Sequence, residues 1–277
     1  MRERSDRLDL RPSPTVCDHP PCGSRHRSDH CVSEPPAPGR YAFLDFNAPL
    51  SDTRADAIAR SLAEAAPRTV LDIGCGWAEL MLRVIAAAPT ATGLGIDTDA
   101  ETLARARANA ADRGLDDRVT FVEAPAPVRH EPADIVICVG ADHAYGGQEE
   151  ALRVLHETVR PGGQLLFGSG FWEQPPSAEQ ARAVGLEPDS LPDLAGLVDL
   201  AIAAGFRPLY LQTANRDEWE RFESGYLADL EHWLHRYGRS PESARIRETA
   251  DNHRSGWLRG YRNVLGFAYL TLSRPGG

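Results

Sequence analysis

The chain has 277 residues, 42% hydrophobic and 25% charged, with a formal net charge of -10. That is enough apolar chain for one large domain, or one domain with an inserted cap, and the composition is that of a globular protein. The acidic balance argues against a general polyanion binder, because neutralising phosphates takes clustered positive charge.

All 30 basic residues are arginine, which beside the many alanines reads as codon bias and not as phosphate recognition. No apolar run is long enough to span a bilayer, and MRERSDRLDLRP lacks the apolar stretch of a secretory signal. An odd number of cysteines without such a signal predicts reduced thiols and a cytoplasmic location.

Residues 1–40 are rich in Pro, Arg, Asp, Ser and His and carry almost no apolar periodicity, which predicts a disordered tail. They hold Cys17, His19, Cys22, His26, His30 and Cys31. The C-x4-C-x8-C spacing matches no compact zinc module, and a second close ligand pair is missing, so no metal site is expected. Regular patterning begins at residue 41. Tyr41, Phe43, Phe46 and Asn47 form a candidate lid, or a segment that simply docks on the core. A helix starts at Ser51 and runs to about Ala66.

RTVLDI (68–73) is a short apolar run before glycine, hence a buried strand, and 77–89 is helical up to Pro89. ATGLGID (91–97) predicts a second strand and 100–114 a helix stopped by Gly114. Strands follow at 118–124 and 133–140, then a helix at 148–160 ended by Pro161-Gly162-Gly163, and a fifth strand at 164–170. A helix at 193–205 leads to a sixth strand at 206–213. Some 45 residues of helical periodicity follow, with helix starts near Asn215 and Ser240, and 264–272 is the last strand. Strands alternating with helices imply right-handed crossovers and a parallel sheet covered on both faces, with ligands at the carboxyl ends of the strands. The sixth and last strands pair as a hairpin with the helical insert at its tip.

The stretch VLDIGCGWAEL (70–80) joins the first strand to a helix through a glycine-rich turn. A dinucleotide fingerprint needs a third glycine for close helix packing, and Glu79 stands there. With the D-x-G-x-G turn Asp72-Ile73-Gly74-Cys75-Gly76, the acid Asp97 in GLGIDTD, the apolar ADIVICVGADHAYGG and RPGGQLLFG at 160–168, the chain resembles the class I S-adenosylmethionine (SAM)-dependent methyltransferases over roughly residues 50–215 and the last strand. FNAPLS, CVGADHAYGG, GFWEQPP, LPDLAGLVDLA and GYRNVLGFAYLTL narrow the likeness to a bacterial group of small methyltransferases of unsettled substrate. The resemblance implies an α/β fold: a doubly wound, Rossmann-like seven-stranded sheet of order 3-2-1-4-5-7-6, with strand 7 antiparallel. It implies a tail at 1–40, a lid and helix at 41–66, a SAM-binding core at 67–213 plus 261–274, and a helical insert at 214–260 serving as substrate cap.

Gly74 and Gly76 let the backbone turn tightly and approach a ligand. SAM has no pyrophosphate, so the helix start offers its N–H groups to the methionyl carboxylate. Asp72 is the candidate for the methionyl ammonium and Asp97, about twenty residues past the turn, for both ribose hydroxyls. Cys75, Trp77, Thr98 and Gly140 lie beside these groups. In the family an acid after the third strand reads the adenine amino group; here that position is Pro125, leaving the backbone near Ala124. Each acid also has a plain reading, as a turn or capping carboxylate.

The loop after the fourth strand is the place for catalysis. Histidine changes charge near neutral pH, which makes His143 the candidate base, with Asp142 to orient it and Tyr145 to shape the pocket. His143 as pocket lining is the alternative, and a thiol, carboxylate or amine acceptor needs no base. Trp172 and Glu173 are candidates for the acceptor wall, with Phe46 and Asn47 above it. The expected reaction moves the methyl group to a small-molecule acceptor, with S-adenosylhomocysteine (SAH) as product. No nucleic-acid or membrane partner is expected. RNA or protein methylation stays open, because the insert carries Arg239, Arg245, Arg247, Arg254 and Arg259; so does a non-catalytic SAM-binding regulator. An NAD-dependent oxidoreductase is disfavoured by Glu79 and the last-strand hairpin.

Overall fold

The central strands are apolar almost throughout, and they end up in the middle of one sheet. A computed structural model describes residues 35–126 and 130–276. The expected tail up to residue 34, with its cysteines and histidines, lies outside the described residues. Ala37–Gly277 packs as one compact unit.

Among the described residues the sheet has seven strands: β1 (Thr69–Ile73), β2 (Thr92–Asp97), β3 (Val119–Glu123), β4 (Ala133–Val139), β5 (Val159–Trp172), β6 (Arg207–Thr213) and β7 (Leu265–Ser273). Their order is β3-β2-β1-β4-β5-β7-β6. The first five pair in parallel, and β7 is antiparallel to both neighbours. This is the class I order and orientation. The helices are α1 (Asp52–Ala63), α2 (Glu79–Ala87), α3 (Ala100–Asp112), α4 (Gln148–Thr158), α5 (Ala178–Arg182), α6 (Leu194–Ala203), α7 (Arg216–Tyr237) and α8 (Ser243–Ser255).

Side chains alternate across a strand, so one strand feeds two cores. Ile135 and Ile137 of β4 join Leu62, Met81, Ile85 and Ala106 from α1, α2 and α3 on one face. Val136 and Cys138 join Leu152, Leu155, Leu197 and Ala201 from α4 and α6 on the other. Covering both faces is what makes β4 apolar from Ile135 to Val139.

Three local departures from the sequence reading have physical causes. β5 begins at Val159, because Val159 already pairs with Ala133 and the Gly162 N–H donates to the Arg274 carbonyl (2.8 Å). It also runs on to Trp172, because β7 supplies a partner as far as Leu265. Helix α8 starts at Ser243 and not Ser240, since residues 240–242 are spent on a turn closed by the Ser243 N–H on the Ser240 carbonyl (3.2 Å). Helix α5, a 3-10 turn at Asp142–Tyr145 and a π-helical turn at Gly256–Tyr261 are too short to register as periodicity.

The insert of α7, α8 and the π turn is tied to the segment ahead of α1. Asn215 and Glu218 form a capping box at the start of α7. The buried Glu218 also accepts from Arg54 Nε and Nη2 (both 2.8 Å) and from the Ser51 hydroxyl (2.7 Å). Burial alone favours the neutral acid. The hydrogen bonds from Arg54, the Asn215 N–H and Ser51 outweigh it and hold Glu218 below the usual glutamate range. Further along α7, Asp229 accepts the Ala42 N–H (3.0 Å).

Candidate functional site

The carboxyl ends of β1, β2 and β4 open into a cavity of 360 Å³. The glycine turn forms its floor. Gly74 and Gly76 both take positive φ (70° and 53°), a region costly for other residues. At Gly74 there is a second reason: a Cβ there would stand 2.5 Å from Ala141 Cβ, in the loop after β4. The turn is closed by Gly74 and Cys75 N–H groups donating to the Ile96 carbonyl (2.8 and 3.0 Å). Ala78, with φ 58°, leads into α2 and gives it no side-chain cap. The N–H groups of that first turn are therefore open to an anion. Glu79 folds onto Arg83 (2.9 Å) and Arg113 (2.7 Å).

Two acids define the electrostatics. Asp97, the last residue of β2, is oriented by backbone: one oxygen accepts the Gly76 N–H (2.7 Å), the other the Asp99 N–H (2.9 Å). Each oxygen keeps acceptor capacity toward the cavity. Asp72 is 5% exposed and has no hydrogen-bond partner among the described residues. Burial, and then the neighbouring Asp97, push its carboxyl up to about 8. A buried acid held neutral in this way lacks a cation.

The expected residues separate by position. Asp72, Gly74, Cys75, Gly76, Trp77, Asp97, Thr98, Ala124 and Gly140 line the cavity, and so do Phe46, Asn47 and His143. Trp77 is pinned, its indole N–H donating to the Asp45 carbonyl (2.7 Å) and the Arg105 guanidinium lying 4.2 Å from its ring centroid. The Ala124 N–H is already committed to the Asp97 carbonyl (2.9 Å), so it is not free to read a base. Pro125 has no N–H, and Ala126 is the next amide on the cavity wall.

Four expected site residues stand elsewhere. His143 and Asp142 lie on a 3-10 turn, where residues three apart share a face, so Asp142 and Tyr145 fall on the same side. His143 and Ala144 face the cavity, while Tyr145 packs on the core between α4 and the sheet. Asp142 makes no hydrogen bond to His143 among the described residues. Burial raises its pKa against the pull of its own backbone N–H, the nearby Ser169 hydroxyl and His143. Ser169 in turn accepts from Gln148 Nε2 (2.8 Å). Trp172 does not line this cavity: the extension of β5 buries it against Ala181 and Val264. Glu173 lines a second, separate cavity.

Sequence reasoning missed the rim. Arg40, assigned to the tail, pairs with Asp99, the N-cap of α3, across the cavity mouth. Beside it Tyr41 takes φ 64° and is held by Arg105 donating to its carbonyl (2.8 Å). The available signal was the second acid of GIDTD.

The model of a family described as a methyltransferase domain matches residues 70–163. The uncharacterized protein YjhP of Escherichia coli (strain K12) is 31% identical over 193 residues, 67% of this chain and 76% of YjhP. The X-ray structure of YjhP superposes with a TM-score of 0.74 at 26% identity, covering 82% of this chain and 94% of that chain. A SAM-dependent methyltransferase from Geobacter sulfurreducens, crystallised with SAH, superposes with a TM-score of 0.74 at 24% identity, covering 82% and 92%.

Proposed function

The chain belongs to the class I SAM-dependent methyltransferases, and from that premise we propose that it methylates a small-molecule acceptor and releases SAH. The observation that carries the cofactor assignment is Asp72, a buried carboxyl with no cation beside it, at the foot of a glycine turn. SAM fits there because its methionyl ammonium supplies that cation. Its sulfonium supplies an activated methyl group.

In this reading Asp72 takes the ammonium, and the uncapped first turn of α2 takes the carboxylate. Asp97, held by two backbone N–H groups, uses its remaining lone pairs for the ribose hydroxyls. Trp77, pinned at its indole N–H, walls the site, and Thr98 and Ala126 flank the base. The acceptor approaches opposite the departing sulfur for an in-line displacement, and the protein's main contribution is alignment. His143 is the residue placed to take a proton from an acceptor that carries one. Asp142 supports its turn from the buried side and does not hold the ring.

Two features support a small acceptor over RNA or protein. The acidic chain offers no excess of positive charge, and in the insert Arg254 is already paired with Asp251 and Glu231. The helical insert, fastened to the segment before α1, is assigned as the acceptor cap. Cys75 and Cys138 are free thiols, in keeping with a cytoplasmic location. Among the described residues no helix is long and apolar enough to cross a membrane.

The test is calorimetric titration with SAM, SAH and NAD. Binding of the first two and not of NAD is expected. Binding of NAD alone would overturn the methyl-donor assignment.

A further inference from the structure

The segment at the mouth of the first cavity is a tight turn. The Leu44 N–H closes it on the Tyr41 carbonyl (3.2 Å), and Tyr41 itself takes φ 64°. A tyrosine in that region persists only where its surroundings impose it. Tyr41 lines the cavity, as do Arg40 before the turn and Phe46 and Asn47 after it. On the outer side α7 backs the turn. The Ala42 N–H donates to Asp229 (3.0 Å), and Gly225 leaves room for Leu44, whose Cδ2 would stand 2.6 Å from a Cβ there.

On the cofactor side one guanidinium, that of Arg105 on α3, holds the turn. Its Nη1 donates to the Tyr41 carbonyl and its Nη2 to the Leu44 carbonyl (both 2.8 Å), so a single planar fork binds both ends. The same group lies 4.2 Å from the ring centroid of Trp77, and that ring is 5.6 Å from the ring of Tyr41. Trp77 is fixed in turn by its indole N–H on the Asp45 carbonyl (2.7 Å) and by the Asn109 amide on its own carbonyl (3.1 Å). Turn, arginine and indole are therefore one connected unit, with Tyr41 and Trp77 both on the cavity wall.

An arginine on a surface helix has a plainer use. Glu101 stands four residues before Arg105, the spacing and order that favour an ion pair along the helix. That pair is not made. Among the described residues Arg105 donates only to the two carbonyls. It is partly buried, and burial lowers its pKa against the pull of Asp45, Glu79 and Asp229. Drawing a cation out of water with no carboxylate bonded to it is costly. What that arrangement secures is the position of the turn and of the indole.

Resting on the reading that SAM occupies the first cavity, we propose that Arg105 is a positioning residue: it clamps the 41–44 turn and Trp77 beside the bound cofactor and sets how fast SAM and SAH leave. It touches no reacting atom. Exit past the rim requires the turn to lift, and lifting it breaks two charge-assisted hydrogen bonds and parts the guanidinium from the turn it shares with the indole. Weakening the clamp therefore speeds release and does not slow entry.

The experiment follows release of radiolabelled SAH from the full chain, chased by unlabelled SAH; the calorimetric affinity then gives the association rate. Beside it, hydrogen exchange is read by mass spectrometry on peptides covering 41–47 and strand β1. In Arg105→Gln, SAH should dissociate at least about tenfold faster, with association no slower than in the parent. Exchange should quicken across 41–47 and stay unchanged across β1, which a general loss of stability would not produce. Arg105→Lys keeps the charge but not the fork, so it should fall between the parent and Arg105→Gln, and it carries the test if Arg105→Gln does not fold. An unchanged dissociation rate in the folded variants would overturn the proposal. So would slower association at an unchanged dissociation rate, or exchange that rises equally in both peptides. Failure of SAH to bind the parent protein would instead bring down the cofactor reading on which the proposal rests.

Discussion

Asp72→Asn is expected to stabilise the free protein and to cripple SAM binding. The carboxyl is buried, unpartnered and pushed up to about 8 by burial and by Asp97. Near neutral pH it is therefore mostly protonated in the folded protein and ionised in the unfolded chain. Between pH ~4 and ~8 the folded state binds the extra proton, so stability falls as pH rises through that window. At pH 7 the interval is about three pH units, which at ~1.4 kcal/mol each costs the folded protein about 4 kcal/mol; water entering the open cavity lowers this. Asparagine carries no such cost. Urea unfolding of both proteins should show the variant ahead by ~1–4 kcal/mol at pH 8 and the gap nearly closed at pH 4. SAM binding reverses the sign. The bound ammonium favours the carboxylate, so the parent protein should release close to one proton per SAM at pH 7, read by calorimetry in buffers of different ionisation enthalpy. Its affinity should rise with pH up to about 8, while the variant binds weakly and releases none. A stability gap independent of pH, or binding without proton release, would refute the assignment of Asp72 to the ammonium.

Other perturbations probe the frame around that charge. Gly74→Ala places a Cβ at 2.5 Å from Ala141 Cβ on a residue with φ 70°, and should cost ~2–3 kcal/mol in denaturant unfolding; an unchanged midpoint would mean the two loops are not in close contact. Glu218→Ala leaves the half-buried Arg54 without its partner and should destabilise by ~3–5 kcal/mol. Because Glu218 is held below the usual range, the stability it contributes is present above its unfolded pKa and is lost as pH falls through the lower folded value, so the gap to Glu218→Gln should shrink in acid. His143→Ala should lower turnover about a hundredfold with SAM affinity intact; full turnover would reduce His143 to cavity lining.

The sheet and most of the lining of the first cavity were legible in the sequence because each depends on local chemistry. An apolar run before D-x-G-x-G encodes a buried strand and a tight turn at once, and an acid ending the next strand must emerge at the same edge. Gly74 shows the limit of that logic. The turn explains a glycine, but its proximity to Ala141, 67 positions away, comes only from the pairing of β1 with β4. Asp142 and Tyr145 were misplaced for a related reason. GADHAYGG reads as the loop that carries catalysis, whereas a 3-10 turn sends Asp142 and Tyr145 inward and leaves His143 and Ala144 on the cavity.

The surroundings of the insert were harder to read because tertiary contacts build them from residues with strong plain readings. Trp219, Phe222 and Tyr226 repeat at helical spacing and look like the core of a helical insert. Part of the insert does pack that way, with Trp233 buried and Glu223 accepting from Tyr261 and paired with His253 (both 2.7 Å). Yet the row of rings leading to Tyr41 is left partly exposed. Trp172 makes the converse point: it reads as a residue of the loop after the fifth strand, and two more residues of strand pairing bury it instead. The length of β5 therefore decides that Trp172 packs in the interior beside Ala181 and Val264.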